Sequence, residues 1–444
     1  MVATTGDQWP SPRRAWFAAA MLAAANTLAF VDRQALALLV EPIKNDLQVS
    51  DTAMSLLYGL SFTMFYVLVG IPVARLADRA NRRNIVVAAI FIWSLATALC
   101  GVARSFATLF IARVGVGAGE GGLSPAAYSI LADYFPKDRL PAAMGVYQMG
   151  IYVGGASALL LGGFIASVVP PASIVQLPLI GAVKGWHLVF LMLGLPGLLL
   201  SGLMLLVREP ARMGEGGSEP SPPFSAVFTH IGQHWQAYVG ISFGFALMIL
   251  VGNATGAWIP AFLERKFGLT TAEIGLAYGA ITAICGVGGT LTGGFAATAL
   301  RRRGIERGNL YAALFGFVSL IPVTILFPQM PSAALSLTLI GLMNFLAGFN
   351  FGGGLAALQE ITPNRMRASV SAGYMLMVNL IGAAGGPVAI ALVTDYWYAD
   401  PQSLPDAITL VCAIASPLSV LALLLGLRGY SRAIGTPILK SSLA

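Results

Sequence analysis

Charge is scarce in this chain: Asp, Glu, Lys and Arg make up only 10% of its 444 residues. A soluble globular protein carries about a quarter, so most of this surface cannot face water and must face lipid. Cysteine is scarce too. Cys100, Cys285 and Cys412 all sit in apolar runs, and three cannot pair completely, which speaks against a disulfide framework or a thiolate metal site. Histidine occurs three times. His230 and His234 stand four apart, as two metal ligands can, but no third ligand is near, and an interfacial stretch is the simpler reading. His187 flanks Trp186 at a helix end, where amphipathic rings sit at a membrane surface. No Ser-His-Asp set, HExxH run, cysteine pair or ATP-hydrolysing motif is convincing, so neither an enzyme nor an ATP-driven pump is expected, and no metal or cofactor. RVGVGAGEGG at 113–122 has the glycines of a phosphate loop, yet lacks the preceding strand and the Lys-Ser/Thr ending. Small residues spaced for close helix packing account for it better.

Apolar residues are plentiful, at 57%. A spanning helix needs about 20 of them. Twelve runs qualify, near 14–40, 52–76, 84–103, 106–134, 140–168, 185–207, 236–263, 271–299, 308–328, 332–360, 368–396 and 405–427. The first resembles a signal peptide, with Arg13 and Arg14 before an Ala-rich stretch, but it continues past Asp32 to Val40, too long for a cleaved segment. If the N-terminus is cytoplasmic, nineteen Lys and Arg residues fall inside and five outside (Lys44, Arg104, Lys184, Arg265 and Lys266), with Arg33 and Arg113 within spans. This positive-inside bias explains the net charge of +7 better than a nucleic-acid partner does. It also supports the span count, because one missed helix would scramble the alternation.

The longest connection, 208–235, is rich in Gly, Pro, Ser and Glu and reads as a cytoplasmic linker. The expected architecture is therefore an all-α membrane protein of twelve transmembrane helices. Residues 1–207 form one six-helix bundle and 236–444 the other, with both termini cytoplasmic. The halves repeat weakly: an offset of 227 residues carries Asp133 to Glu360 and Pro136 to Pro363. Parallel halves with a substrate site between them at mid-membrane describe one transporter architecture.

The loop after the second run reads GIPVARLADRANRR, residues 70–83. It resembles the signature of the Major Facilitator Superfamily, Gly-x-Leu-Ala-Asp-Arg-x-Gly-Arg-Arg. Leu76, Asp78, Arg79, Arg82 and Arg83 fit, while Ala74 and Asn81 replace the glycines. The resemblance implies that Asp78, with Arg79, Arg82 and Arg83, latches the cytoplasmic side in one state. A carboxylate at a helix N-terminus meets unpaired N–H groups and the positive dipole end. A closer resemblance, to Spinster-type transporters, covers VDRQALALLVEPIKNDLQVSD at 31–51, DRANRR at 78–83, FIWSLAT at 91–97 and RVGVGAGEGGLSPAAYSILADYF at 113–135. It implies a proton-linked carrier of amphipathic lipids, such as lysophospholipids or sphingosine-1-phosphate. Proton-coupled symporters of small organic anions such as sugar acids share the style of span one and compete with it. The drug-antiporter motif is missing: residues 150–163 keep the glycines and lack the proline.

Asp32, Arg33, Arg113 and Glu120 are the charges inside spans. Each costs about 2.5–3.5 kcal/mol at a helix centre on insertion scales. By rise per residue, Asp32 lies roughly 12 Å below the outer face, Arg113 roughly 10 Å and Glu120 roughly 21 Å. Asp32 and Arg113 are thus expected to pair, and Arg113 and Glu120 to share a helix face. A dry site favours the neutral acid and a nearby guanidinium the carboxylate. Asp32 and Glu120 are therefore candidates for the coupling proton, with Arg113 as its competitor; a static charge network is the other reading. Arg33 points away from Asp32 and either binds an anionic headgroup or snorkels. Repeat-related positions in the second half are not ionisable. There Asn253, Trp258, Asn344, Asn350, Tyr374 and Asn379 suit a neutral cavity wall, or interhelical hydrogen bonds.

The sequence thus reads as a secondary transporter working by alternating access. Its partners are the bilayer, protons and a small amphipathic or anionic substrate, and it is expected to act as a monomer in a bacterial inner membrane. A membrane enzyme or receptor is disfavoured, because the longest outer loop, about 169–184, is too short for a domain.

Overall fold

A computed structural model describes residues 9–77, 79–136, 139–177, 181–212, 224–303, 308–350, 353–363 and 366–435. Asp78 of the signature and the basic residues Lys137, Arg307, Arg365 and Lys440 lie outside the described residues. The chain is predominantly helical, and ten helices among the described residues are long and apolar enough to cross a membrane. Their outer surfaces carry large apolar side chains: Ile111, Phe164, Leu199 and Phe295 are all more than 60% exposed, as a lipid-facing surface requires.

The long helices of the N-terminal part are α1 (Pro12–Leu38), α2 (Asp51–Ala77), α3 (Arg82–Cys100), α4 (Phe106–Glu120), α5 (Leu123–Tyr134), α6 (Leu140–Val168) and α7 (Gly185–Met204), with a short helix, Val40–Leu47, between α1 and α2. Local sequence sets their ends. Proline opens α1 and stands near the start of α6, where a missing N–H is harmless. Asn81 caps α3 by accepting from the Asn84 N–H at 3.0 Å. Ser105 and Thr108 form a capping box on α4, as Thr270 and Glu273 do on the helix Thr271–Ile281. The helix Trp235–Phe267 stops at Gly268, whose φ of +67° needs glycine.

Two of the twelve apolar runs are interrupted. The run at 106–134 breaks at Gly121–Gly122 into α4 and α5, and that at 332–360 divides into Ala333–Ala347 and Gly353–Ile361. Glycine supplies little helix stability, and in both places it stands at the break. Between α6 and α7 a short antiparallel pair forms, Ile174–Leu177 with Gly181–Lys184.

Two compact units result. One comprises Met1–Ser218 with Ala257–Ala283, the other Glu219–Gly256 with Ile284–Ala444. In the first unit α1 packs along α6, and glycine makes the closeness possible: a Cβ on Gly154 would meet the Thr27 carbonyl oxygen at 2.3 Å. In the second unit the repeat is visible as a shared crossing. The 227-residue offset takes Phe62 to Gly289. A Cβ on Gly289 would meet the Phe345 carbonyl oxygen, just as one on Gly117 would meet that of Phe62.

Candidate functional site

The intramembrane charges gather inside the first unit because α4 lies unusually close to α2 and α3. A Cβ on Gly117 would stand 2.4 Å from the Phe62 carbonyl oxygen, and one on Gly119 2.6 Å from the Trp93 amide nitrogen. The alternating glycines of RVGVGAGEGG therefore serve helix packing. They bring Glu120, the last residue of α4, beside Arg33 of α1. The two arginine nitrogens Nε and Nη2 reach Glu120 Oε2 at 2.7 and 2.6 Å. Glu120 is buried, whereas the Arg33 side chain keeps 27% of its surface exposed.

Aromatic rings surround the cation. The Arg33 guanidinium lies 4.7 Å from the Phe30 ring centre, 4.5 Å from Phe62 and 5.1 Å from Tyr66. Such contacts stabilise a cation without neutralising it. Arg113 also lies over Phe62, at 5.7 Å.

Asp32 and Arg113 come together, but through the backbone: Arg113 Nη1 donates to the Asp32 carbonyl oxygen at 3.4 Å. The Asp32 carboxylate instead accepts from the Thr97 hydroxyl at 2.9 Å, with both residues buried. Arg113 Nε and Glu120 Oε1 are buried without a hydrogen-bond partner among the described residues. Glu120 thus pairs with Arg33 rather than with Arg113, its neighbour on the same helix.

A cavity of about 140 Å³ opens on this pair. It is lined from α1 by Asn26, Ala29, Phe30 and Arg33, and from α2 by Tyr66. The end of α4 and α5 add Glu120, Leu123, Ser124 and Tyr128, and α6 adds Gln148 and Ile151. Phe62, Tyr66, Thr97, Tyr128 and Gln148 escaped the sequence reading. None is ionisable at neutral pH, and only packing reveals their neighbours.

The cavity-wall residues expected in the second half behave differently. Asn253, Asn344 and Asn379 each donate their amide to the carbonyl four residues earlier, at 2.9, 2.9 and 2.8 Å. Tyr374 is buried in the second unit, and Asn350 ends a short 3₁₀ turn. Trp258 belongs to the first unit, where the Arg265 guanidinium lies 5.8 Å from its ring centre.

Two further charge clusters lie in the first unit. The signature arginine Arg82 is 1% exposed and joins three elements. It bonds Glu209 Oε1 at 2.7 Å, Ser129 Oγ at 2.9 Å and the Asp133 carboxylate. Arg83 donates its backbone N–H to Glu209 at 2.8 Å, while Arg79 is exposed. Asp133 and Glu209 are thus the partners that the signature alone does not name. In the second cluster Arg265 forks onto both Asp51 oxygens at 2.7 Å and reaches Glu41 Oε1 at 2.8 Å. Lys44 adds a contact to Asp51 at 2.6 Å.

Comparison with known proteins agrees with this helical plan. The chain is 31% identical to an MFS-type efflux pump of Mycolicibacterium smegmatis, over 95% of each chain. It is 23% identical to a probable L-galactonate transporter of Escherichia coli K12, over 82% of this chain and 80% of that one. Among solved structures it is similar to a bacterial homologue of the human lysosomal transporter Spinster in an inward-facing, unoccupied conformation. That similarity has a TM-score of 0.76 and 28% identity, covering 96% of this chain and 98% of the other. The pattern of one family runs through residues 22–387, across both units and every intramembrane charge, and this multi-pass membrane protein belongs to the Major Facilitator Superfamily.

Proposed function

We propose that the protein is a secondary carrier that moves an amphipathic anion together with a proton by alternating access. The observation that carries this reading is the Arg33–Glu120 pair, open to a cavity on the arginine side and buried on the carboxylate side. Protonation of Glu120 removes the counter-charge of Arg33 and frees its guanidinium for the anionic group of a substrate. When the anion leaves, Glu120 gives up its proton and takes Arg33 back. A bare cation in this site is costly, so neither ligand loads well alone. Asp32, held by Thr97, is the second candidate for the coupling proton, and Arg113 the fixed charge beside it.

Supporting the amphipathic substrate are the apolar cavity residues Ala29, Phe30, Leu123 and Ile151, and the likeness to the Spinster homologue. A lysophospholipid or a sphingosine-1-phosphate-like lipid combines the required charge with an apolar chain. A second reading, a small organic anion such as a sugar acid, is favoured by the polar groups of Asn26, Ser124 and Gln148 in the same cavity and by the galactonate relative. In the membrane, the two interrupted runs each count as one span. Counted so, the ten spanning helices become twelve spans, and the Lys and Arg distribution supports cytoplasmic termini. The cytoplasmic latch comprises Asp78, Arg79, Arg82 and Arg83, with Asp133 and Glu209 as partners of Arg82.

The test is an uptake screen in liposomes, lysolipids against sugar acids, with and without an acid-outside pH gradient. Gradient-dependent accumulation of a lysolipid is the expected result. Accumulation of galactonate instead establishes the second reading, and accumulation of neither overturns both.

A further inference from the structure

The polar groups around the cavity are not equally occupied. Arg33 is engaged by Glu120 through Oε2. Tyr66, Ser124 and Tyr147 form a chain of hydroxyls at 3.4 and 3.3 Å, and Asn26 Nδ2 donates to the Tyr147 carbonyl at 2.9 Å. The Tyr128 hydroxyl and the Gln148 amide, by contrast, make no hydrogen bond to any described residue. Both line the cavity, from α5 and from α6. The Tyr128 ring also packs edge-on against Tyr147, with centres 5.4 Å apart, and is otherwise partly exposed.

From this accounting we infer that Tyr128 and Gln148 determine specificity, by reading a hydroxyl-bearing headgroup beside the anionic group of the substrate. The inference rests on the proposed binding of the anion by Arg33. A phenol and a primary amide each both donate and accept hydrogen bonds, as an alcohol does. A second phosphate or carboxylate would need another cation, and the cavity lining holds only Arg33. An ammonium headgroup would need a free carboxylate, and Glu120, the one acid in the cavity lining, is protonated in the proposed cycle while the anion is bound. Leu123 and Ile151, beside the two polar groups along α5 and α6, offer apolar surface to the carbon skeleton of a polyol. Pockets of this kind are mostly apolar, with a few polar groups that fix orientation.

Two probes separate the hydroxyls from charge and size. Lysophosphatidylglycerol carries two headgroup hydroxyls. Lysophosphatidylpropanol keeps the three carbons and the single negative charge and lacks both. The KM of each is measured for uptake by the full-length protein in liposomes, for the wild type, Tyr128→Phe and Gln148→Leu. The wild type is expected to favour the glycerol lipid, and each variant to lose about tenfold of that preference, the size of one good hydrogen bond. The loss should appear in KM for the glycerol lipid and hardly in kcat. Tyr128→Phe removes a single oxygen, so it reports even where Gln148→Leu fails to fold. An unchanged preference in the variants overturns the inference and leaves the carrier reading standing. A wild type that moves neither lipid overturns the lipid reading of the carrier as well.

Discussion

At Arg33 and Glu120, two charges that are each expensive in a bilayer make one another tolerable at 2.6 Å. An isolated charge at a helix centre costs about 2.5–3.5 kcal/mol. The aromatic rings of Phe30, Phe62 and Tyr66 keep the guanidinium in place when Glu120 is neutral. A planar fork is needed both for the carboxylate and for stacking on rings, and lysine supplies neither. Arg33→Lys is therefore expected to raise KM for the anion by about tenfold or more, with less effect on kcat. Uptake kinetics in liposomes check this, and an unchanged KM argues against Arg33 as the anion ligand. The four intramembrane charges were legible in the sequence as exceptions to an apolar background. Their pairing was not. Depth counted along helix axes put Glu120 a full helical turn or more below Arg33 and set Asp32 level with Arg113. An arginine side chain is long enough to cancel such an offset. Among the described residues, Arg113 spends its one hydrogen bond on a backbone carbonyl, which no charge pattern announces. The same applies to Asn253, Asn344 and Asn379, whose amides turn back onto their own helices.

The elements owe their arrangement to small residues more than to hydrophobic periodicity, which is weak when lipid and core are both apolar. Gly119 is the clearest case. Valine there would drive its Cβ to 2.6 Å from the Trp93 amide nitrogen, a backbone atom that cannot rotate away. Gly119→Val is expected to cost about 1–3 kcal/mol or more and to displace Glu120 from Arg33. Size-exclusion profiles and thermal melts of the purified protein check the first effect, and lost uptake the second. A stable, active variant would contradict the packing described here. The helix positions themselves were readable as apolar runs, and the glycine-rich stretch was readable as a packing surface. The breaks at Gly121–Gly122 and after Ala347 were not, because the apolar pattern continues across them. Arg265 illustrates a second kind of element contact. Its side chain is 6% exposed and ties the segment Ala257–Ala283 to Glu41 and Asp51. Removing one member of a buried ion pair strands the others, at a cost of about 3–5 kcal/mol. Arg265→Ala should accordingly lower the melting temperature clearly, and Arg265→Lys by less. Equal melting temperatures for all three proteins would show the cluster to be energetically idle.

For the whole molecule, the family, the helical fold and the internal repeat all follow from patterns that a linear sequence preserves: apolar runs, the signature at 70–83 and the 227-residue offset. The repeat is structural rather than chemical. Phe62 and Gly117 cross in the first unit as Gly289 and Phe345 do in the second, yet the ionisable groups are concentrated in the first. Asp133 and its counterpart Glu360 show the same divergence. Asp133 holds Arg82, whereas Glu360 accepts a hydrogen bond from the Tyr430 hydroxyl. A carrier with its acid–base chemistry in one half can couple one ligand exchange there to the motion of both. In the proposed cycle the proton on Glu120 and the anion on Arg33 load together. This joint loading is tested most directly by proton flux into liposomes containing a pH-sensitive dye, after lysophosphatidylglycerol is added outside. Wild-type protein is predicted to acidify the lumen as the lipid enters, and Glu120→Gln, which stays folded, to admit lipid without acidification or to admit none. Equal acidification by Glu120→Gln and the wild type would contradict the account.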